Sequence, residues 1–161
     1  MSVEEHSEIE ARPSLRARVA TRMARVAVKH WARGDPPAVV RRARWVLGYP
    51  SFLSFVHSHG VNIEKVKTPE IRGEWISPTS GVSHDKVVLY LHGGGYVSCS
   101  SRTHRPITTS LARLTSCRVF ALDYRWAPEH PFPAAVDDAA AAFLWLVTSG
   151  VRPNQIAIAG D

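Results

Sequence analysis

Apolar residues recur at helical spacing near the start of the chain. Leu15, Val19, Met23, Val26 and His30 follow at intervals of four, four, three and four, with Arg16, Arg18, Arg22 and Arg25 between them. This spacing gathers one side of a helix, so an amphipathic helix is predicted. A second helix is predicted to begin after Pro36-Pro37 and run toward Leu47, where Gly48-Tyr49-Pro50 breaks it. Ser51 to His59 reads as a short apolar segment carrying Phe52, Leu53, Phe55 and Val56.

Beyond Gly60 the period shortens to two. Val61, Ile63 and Val66 alternate up to Thr68-Pro69, and Ile71 to Ile76 forms another run, which predicts an antiparallel pair. Lys86 to Leu91 is apolar on both faces and closed by glycines, as a central strand covered on two sides would be. A helix over 103–114, a buried strand over 117–122, an alanine-rich helix over 134–148 and a strand over 155–159 follow. Strands alternating with helices predict a doubly covered α/β layer with right-handed crossovers and a parallel sheet.

Composition narrows the class. Hydrophobic residues make up 45% and charged residues 21% of the 161, which sets aside wholesale disorder and fibrous repeats. The longest apolar stretch, Ala139 to Val147, falls well short of the roughly 18 residues of a membrane span. An acidic start with Glu4, Glu5, Glu8 and Glu10, lacking the pattern of a secretory signal, predicts a cytoplasmic address. Cys99 and Cys117 are too few for a disulfide framework and are expected to be reduced and packed. Of the net charge of +6, residues 1–60 hold +5, with ten Lys/Arg against five Asp/Glu. The basic helix is assigned to packing on its own protein, with an anionic-lipid surface over residues 12–33 as the alternative.

Candidate chemistry centres on His92-Gly93-Gly94-Gly95-Tyr96, directly after the strand ending at Leu91. Three glycines let the backbone turn sharply and aim successive N–H groups at one point, which makes an anion nest. The chain lacks the Gly-Lys-Ser/Thr of a P-loop and the Gly-x-Gly-x-x-Gly of a dinucleotide fold. A developing oxyanion remains as the expected anion, stabilised by about 3 to 4 kcal/mol per preset donor.

Three stretches carry a family resemblance: His92-Gly93-Gly94-Gly95, Asp123-Tyr124-Arg125-Trp126-Ala127-Pro128-Glu129-His130-Pro131-Phe132-Pro133-Ala134-Ala135, and Ala157-Ile158-Ala159-Gly160-Asp161. In order and separation they resemble the hormone-sensitive-lipase group of α/β-hydrolase carboxylesterases, closely over about 60–161 and loosely, as a helical cap, over 1–60. Trp126 departs from the family's more frequent leucine and is expected to reshape a helix–sheet contact.

The resemblance implies an α/β-hydrolase fold, amino-terminal half, with a mixed, mostly parallel sheet, helices on both faces, and the order 1-2-4-3-5. Residues 1–60 would form a cap segment and 61–161 the first half of the core. The family continues the ending as Gly-Asp-Ser-Ala-Gly-Gly, so the nucleophile would follow Asp161 and the triad Ser, Asp and His would lie outside this chain. Gly93, Gly94 and Gly95 would form the oxyanion hole, His92 would support the loop, and Gly160 and Asp161 would flank the nucleophile. Tyr96, Phe52 and Phe55 would bind substrate.

A serine carboxylesterase acting through an acyl-enzyme on short- to medium-chain esters is therefore expected, with no cofactor and no metal. A non-catalytic ligand receptor on the same scaffold is the alternative. Expected partners are a C-terminal half of the same enzyme, docked on the open 155–159 strand, and a small ester. No nucleic-acid partner is expected, membrane contact is disfavoured, and a homodimer stays open.

Other polar residues receive structural expectations. Asp123 and Asp161 precede the nucleophile, against the family's Ser–Asp–His order, and are set aside as triad acid. Asp137 and Asp138 suit a helix start, Glu129-His130 a rigid turn, and Arg125 an internal pair with a carboxylate. His57, His59 and His84 are expected to face solvent.

Overall fold

The computed structural model describes residues 14–31, 33–48 and 59–161. It divides into two compact units, Met1–Val39 and Val40–Asp161. In the first, α1 (Leu15–Trp31) leaves Leu15, Val19, Met23 and Val26 exposed. Among the described residues the first unit holds no second long element that could cover that stripe. Helix α2 (Pro36–Leu47) opens on the two prolines, whose fixed φ suits a first turn. The boundary between the units falls inside α2, and Arg44, on the second unit's side of it, is tied by hydrogen bonds to Val97, Ala127 and Glu129.

The second unit is built on a five-stranded sheet: β1 (Val61–Lys67), β2 (Arg72–Pro78), β3 (Ser83–Leu91), β4 (Cys117–Leu122) and β5 (Ile156–Gly160), in the order β1-β2-β4-β3-β5. The β1–β2 and β2–β4 pairs are antiparallel, while β3 runs parallel to both β4 and β5. Helices α3 (Arg105–Thr115) and α4 (Ala134–Thr148) provide the crossovers.

The continuous apolar run of β3 is explained by its two faces. Val88 and Tyr90 pack with Val119, Ala121, Ile76 and Ala112 of α3, whereas Val87 and Leu89 pack with Phe120, Leu122, and Ala142 and Leu146 of α4. Successive side chains point to opposite sides of the sheet, so both must be apolar when helices cover both. Trp75, Phe120 and Trp145 form an aromatic triangle on the α4 side, with centroids 5.1 Å (Trp75–Phe120), 5.0 Å (Phe120–Trp145) and 6.2 Å (Trp75–Trp145) apart. On the other side Glu74, only 2% exposed, accepts two hydrogen bonds from Arg105, from Nε at 2.9 Å and from Nη2 at 2.6 Å. That pair fastens α3 to β2.

Sheet position separates strands of similar composition. β4 is buried along almost its whole length, but β5 leaves Ala157, Ile158 and Gly160 exposed because it pairs on one side only. No described helix is long and apolar enough to cross a membrane.

Candidate active site

Where β3 ends, the chain turns through His92 to Tyr96. Gly94 has φ +127° and Gly95 φ +63°, and Tyr96 (φ 61°) and Cys99 (φ 73°) share the left-handed region. At Gly94 a Cβ would collide with the Ser98 carbonyl oxygen, so the turn requires both the φ and the missing side chain. The Gly94 carbonyl oxygen accepts from the Val97 N–H at 3.2 Å and from the buried Ser98 hydroxyl at 3.0 Å, which closes the loop on itself.

The three glycine amides are not equivalent. Gly93 N–H donates to Asp161 Oδ1 at 2.9 Å. That carboxylate also accepts from the Tyr90 hydroxyl at 2.7 Å, and its Oδ2 lies 3.3 Å from His104 Nε2. Burial alone would raise the Asp161 pKa, but these hydrogen bonds and the neighbouring His104 outweigh it and hold the carboxyl below its ordinary value. Among the described residues the Gly94 and Gly95 amides have no protein acceptor. They border a cavity of about 640 Å³ shared with His92, Tyr96, Tyr124 and Asp161. A turn expected to offer three donors thus has one committed to a carboxylate.

His92 is 3% exposed. Its Nδ1 lies 2.8 Å from the Gly93 carbonyl oxygen, an acceptor, so this nitrogen carries the hydrogen. Burial pushes its pKa down and favours the neutral ring. Nε2 is buried without a hydrogen-bond partner among the described residues. Beneath it, Tyr124 stacks at 4.2 Å between centroids and donates its hydroxyl to the His92 carbonyl oxygen at 2.6 Å. Burial raises that phenol to about 12, so it stays a donor.

The connection after β4 is fixed by charge pairs. Arg125 meets Asp138 at 2.7 Å, and Arg44 meets Glu129 at 2.6 Å while its Nε donates to the Val97 carbonyl oxygen at 2.8 Å. Arg44 also lies 5.2 Å over the ring of Trp126, the residue that departs from the family pattern. Asp138 therefore holds an arginine as well as standing near a helix start. Asp123 accepts from the Ser101 amide and hydroxyl, a structural task.

Among the predicted site residues, His92, Gly93, Gly94, Gly95, Tyr96, Gly160 and Asp161 all line the same cavity. Phe52, Phe55 and His57 lie outside the described residues. His59 is exposed. No group of three or more His, Cys, Asp or Glu among the described residues could hold a metal ion. Sequence reasoning missed Tyr90, His104 and Arg44, and gave Tyr124 no task although it stands within the Asp123–Ala135 stretch.

Comparison with known proteins places this geometry. Residues 88–161 match the profile of an α/β-hydrolase fold family. An acetyl-hydrolase of Streptomyces hygroscopicus is 42% identical over 88 residues, covering 55% of this chain and 29% of the relative. The carboxylesterase/phospholipase LipF of Mycobacterium tuberculosis is 36% identical over 101 residues, covering 63% and 26%. Among solved structures, an esterase from the bacterial hormone-sensitive lipase family matches with TM-score 0.61 at 36% identity, over 80% of this chain and 48% of that one. A hormone-sensitive lipase from a metagenome library matches with TM-score 0.66 at 32% identity, over 89% and 46%. The chain spans about a third or less of the length of those two curated relatives, and just under half of the two solved structures. With its mixed five-stranded sheet and its glycine turn after β3, the chain has the α/β-hydrolase fold and is similar to esterases of the hormone-sensitive lipase family.

Proposed function

We propose that this chain is the oxyanion-binding part of a serine carboxylesterase acting through an acyl-enzyme on short- to medium-chain esters. One observation carries the reading: two glycine amides without protein acceptors border a cavity, on a turn held against Asp161. In the family pattern the residue after Asp161 is the nucleophilic serine, so an ester carbonyl bound there sits beside the Gly94 and Gly95 amides. Attack makes its oxygen negative, and those N–H groups stabilise the charge together with the amide that follows the serine. Tyr96, exposed at the cavity, contacts the ester. Neutral His92, bonded to the Gly93 carbonyl oxygen, holds the loop rather than moving a proton. The triad's acid and histidine come from sequence beyond this chain, which pairs along the open edge of β5.

Residues 1–161 joined with the C-terminal half of the enzyme, assayed on p-nitrophenyl esters of graded chain length, test the reading. Gly94→Val should depress turnover by about a hundredfold or more, because a side chain there collides with the Ser98 carbonyl oxygen and moves the amide off the oxyanion, equivalent to losing one such donor. Unchanged turnover would remove the oxyanion assignment. Ester binding without any turnover in the unsubstituted protein would favour a receptor.

A further inference from the structure

Two amides can serve a reacting oxygen, as the reading above requires and as is assumed here, only if the backbone that carries them stays still. The turn is poorly suited to that by itself. Gly94 (φ +127°), Gly95 (φ +63°), Tyr96 (φ 61°) and Cys99 (φ 73°) all have positive φ, which glycine adopts among many other conformations and other residues adopt at a cost. Upstream the turn is held by β3 and by the Gly93 N–H on Asp161. Downstream it is held by a side chain of α2.

Arg44 lays one guanidinium across two segments. Its Nε donates to the Val97 carbonyl oxygen at 2.8 Å, and its Nη2 to the Ala127 carbonyl oxygen at 3.1 Å. The Glu129 carboxylate accepts from Nη1 at 2.7 Å and from Nη2 at 2.6 Å. A planar fork reaches these acceptors together, whereas a lysine ammonium offers its donors from a single point. The two segments are already linked once, because the Ala127 N–H donates at 2.9 Å to the carbonyl oxygen of Tyr96, the residue before Val97. Arg44 closes that link into a ring of hydrogen bonds. From Val97 the constraint passes straight into the glycines, since the Val97 N–H donates to the Gly94 carbonyl oxygen at 3.2 Å. The guanidinium also lies 5.2 Å over the Trp126 ring, and the Cys99 thiol adds a weaker tie from the loop to the end of α2, 3.7 Å from the Leu47 carbonyl oxygen.

We infer that Arg44 is a positioning residue of the oxyanion turn: its fork clamps Val97 to the Ala127–Glu129 connection and so fixes the direction of the Gly94 and Gly95 amides. Glu129 anchors the fork, because a guanidinium paired with a carboxylate through two N–H groups is set in one plane and aims its remaining donors along that plane. Arg44 touches no substrate; it acts through the backbone. A misplacement of about 1 Å caused away from the reacting atoms costs up to about a hundredfold in rate, which sets the scale of the effect. With its side chain 29% exposed, Arg44 stands where a small ion from solution can take its place.

The test uses residues 1–161 joined with the C-terminal half of the enzyme, with 15N-glycine confined to residues 1–161. Arg44→Lys keeps a cation beside Glu129 but loses the fork, and should lower kcat by about ten- to a hundredfold with KM unchanged. In Arg44→Ala, millimolar guanidinium ion should restore much of the lost turnover, and methylammonium should not. A purely structural arginine would lower the melting temperature without that split and without that rescue. The Gly94 and Gly95 amide signals should shift in Arg44→Lys, and should return when guanidinium is added to Arg44→Ala, while the signal of Gly150, beyond α4, stays in place. Unchanged kcat in Arg44→Lys, or rescue by methylammonium as full as by guanidinium, would overturn the inference. An assembled enzyme without esterase activity would sink the functional reading, and the glycine signals would then decide alone: unmoved in Arg44→Lys, they would refute the clamp.

Discussion

β4 and β5 are both short, apolar and parallel to β3, yet they meet opposite environments. β4 has β2 on its other side and helices over both faces, and Phe120 at its middle is fully buried. Among the described residues β5 has no strand beyond it, and Ile158, whose register partner on β3 is Leu89, is 62% exposed. The residues are of one kind; the number of neighbours differs. Apolar composition measures what a strand is able to bury, and sheet order decides what it does bury.

The contrast can be broken in several places, in descending order of effect. Phe120→Ala should lower stability by about 3–5 kcal/mol, because it removes the fully buried member of the aromatic triangle; urea unfolding measures it. Glu74→Ala leaves the Arg105 guanidinium without its partner beneath α3, and since that arginine keeps some solvent contact a loss of about 2–3 kcal/mol is expected. Replacing both by leucine should recover much of that loss, and failure to recover would show the pair to be more than a fastening.

The exposed pair Arg44–Glu129 acts through pH. Arg44 holds the Glu129 carboxyl at about 2 against an ordinary 4.5. Its folded-state pKa lies below the unfolded one, so the contribution is present above about pH 4.5 and fades as pH falls toward 2. Arg44→Leu should therefore lower the neutral plateau and flatten the acid limb of stability in that window, the pH-dependent part of its cost vanishing toward pH 2. Ile158→Ser sharpens the comparison from the other end: a change within about 0.5 kcal/mol is expected in residues 1–161 alone. A loss as large as that of Phe120→Ala would mean that something covers β5.

Local periodicity sufficed where an element meets its surroundings uniformly. The spans of β4 and α4 match the pattern of apolar positions residue for residue. β3 starts earlier than its apolar run because polar Ser83 already pairs with Cys117, before a register shift. α3 starts later than its pattern because Ser100 and Thr103 are tied into a preceding turn. At the site, the three glycines announce a turn from sequence alone. That Asp161 would claim one of its amides is invisible there, since Gly93 and Asp161 are 68 positions apart. Arg44 and Glu129, 85 apart, and His104 and Asp161, 57 apart, are hidden for the same reason. Each such contact depends on sheet order, which no local pattern records.

The aromatic triangle of Trp75, Phe120 and Trp145 has a practical consequence. Its two indoles lie 6.2 Å apart between centroids, and each also neighbours the fully buried Phe120 ring. Rings so close in a fixed chiral arrangement couple their ultraviolet transitions, so docking of α4 onto the sheet carries its own optical signature. Near-ultraviolet circular dichroism can follow this half of the core as it assembles, with no label added.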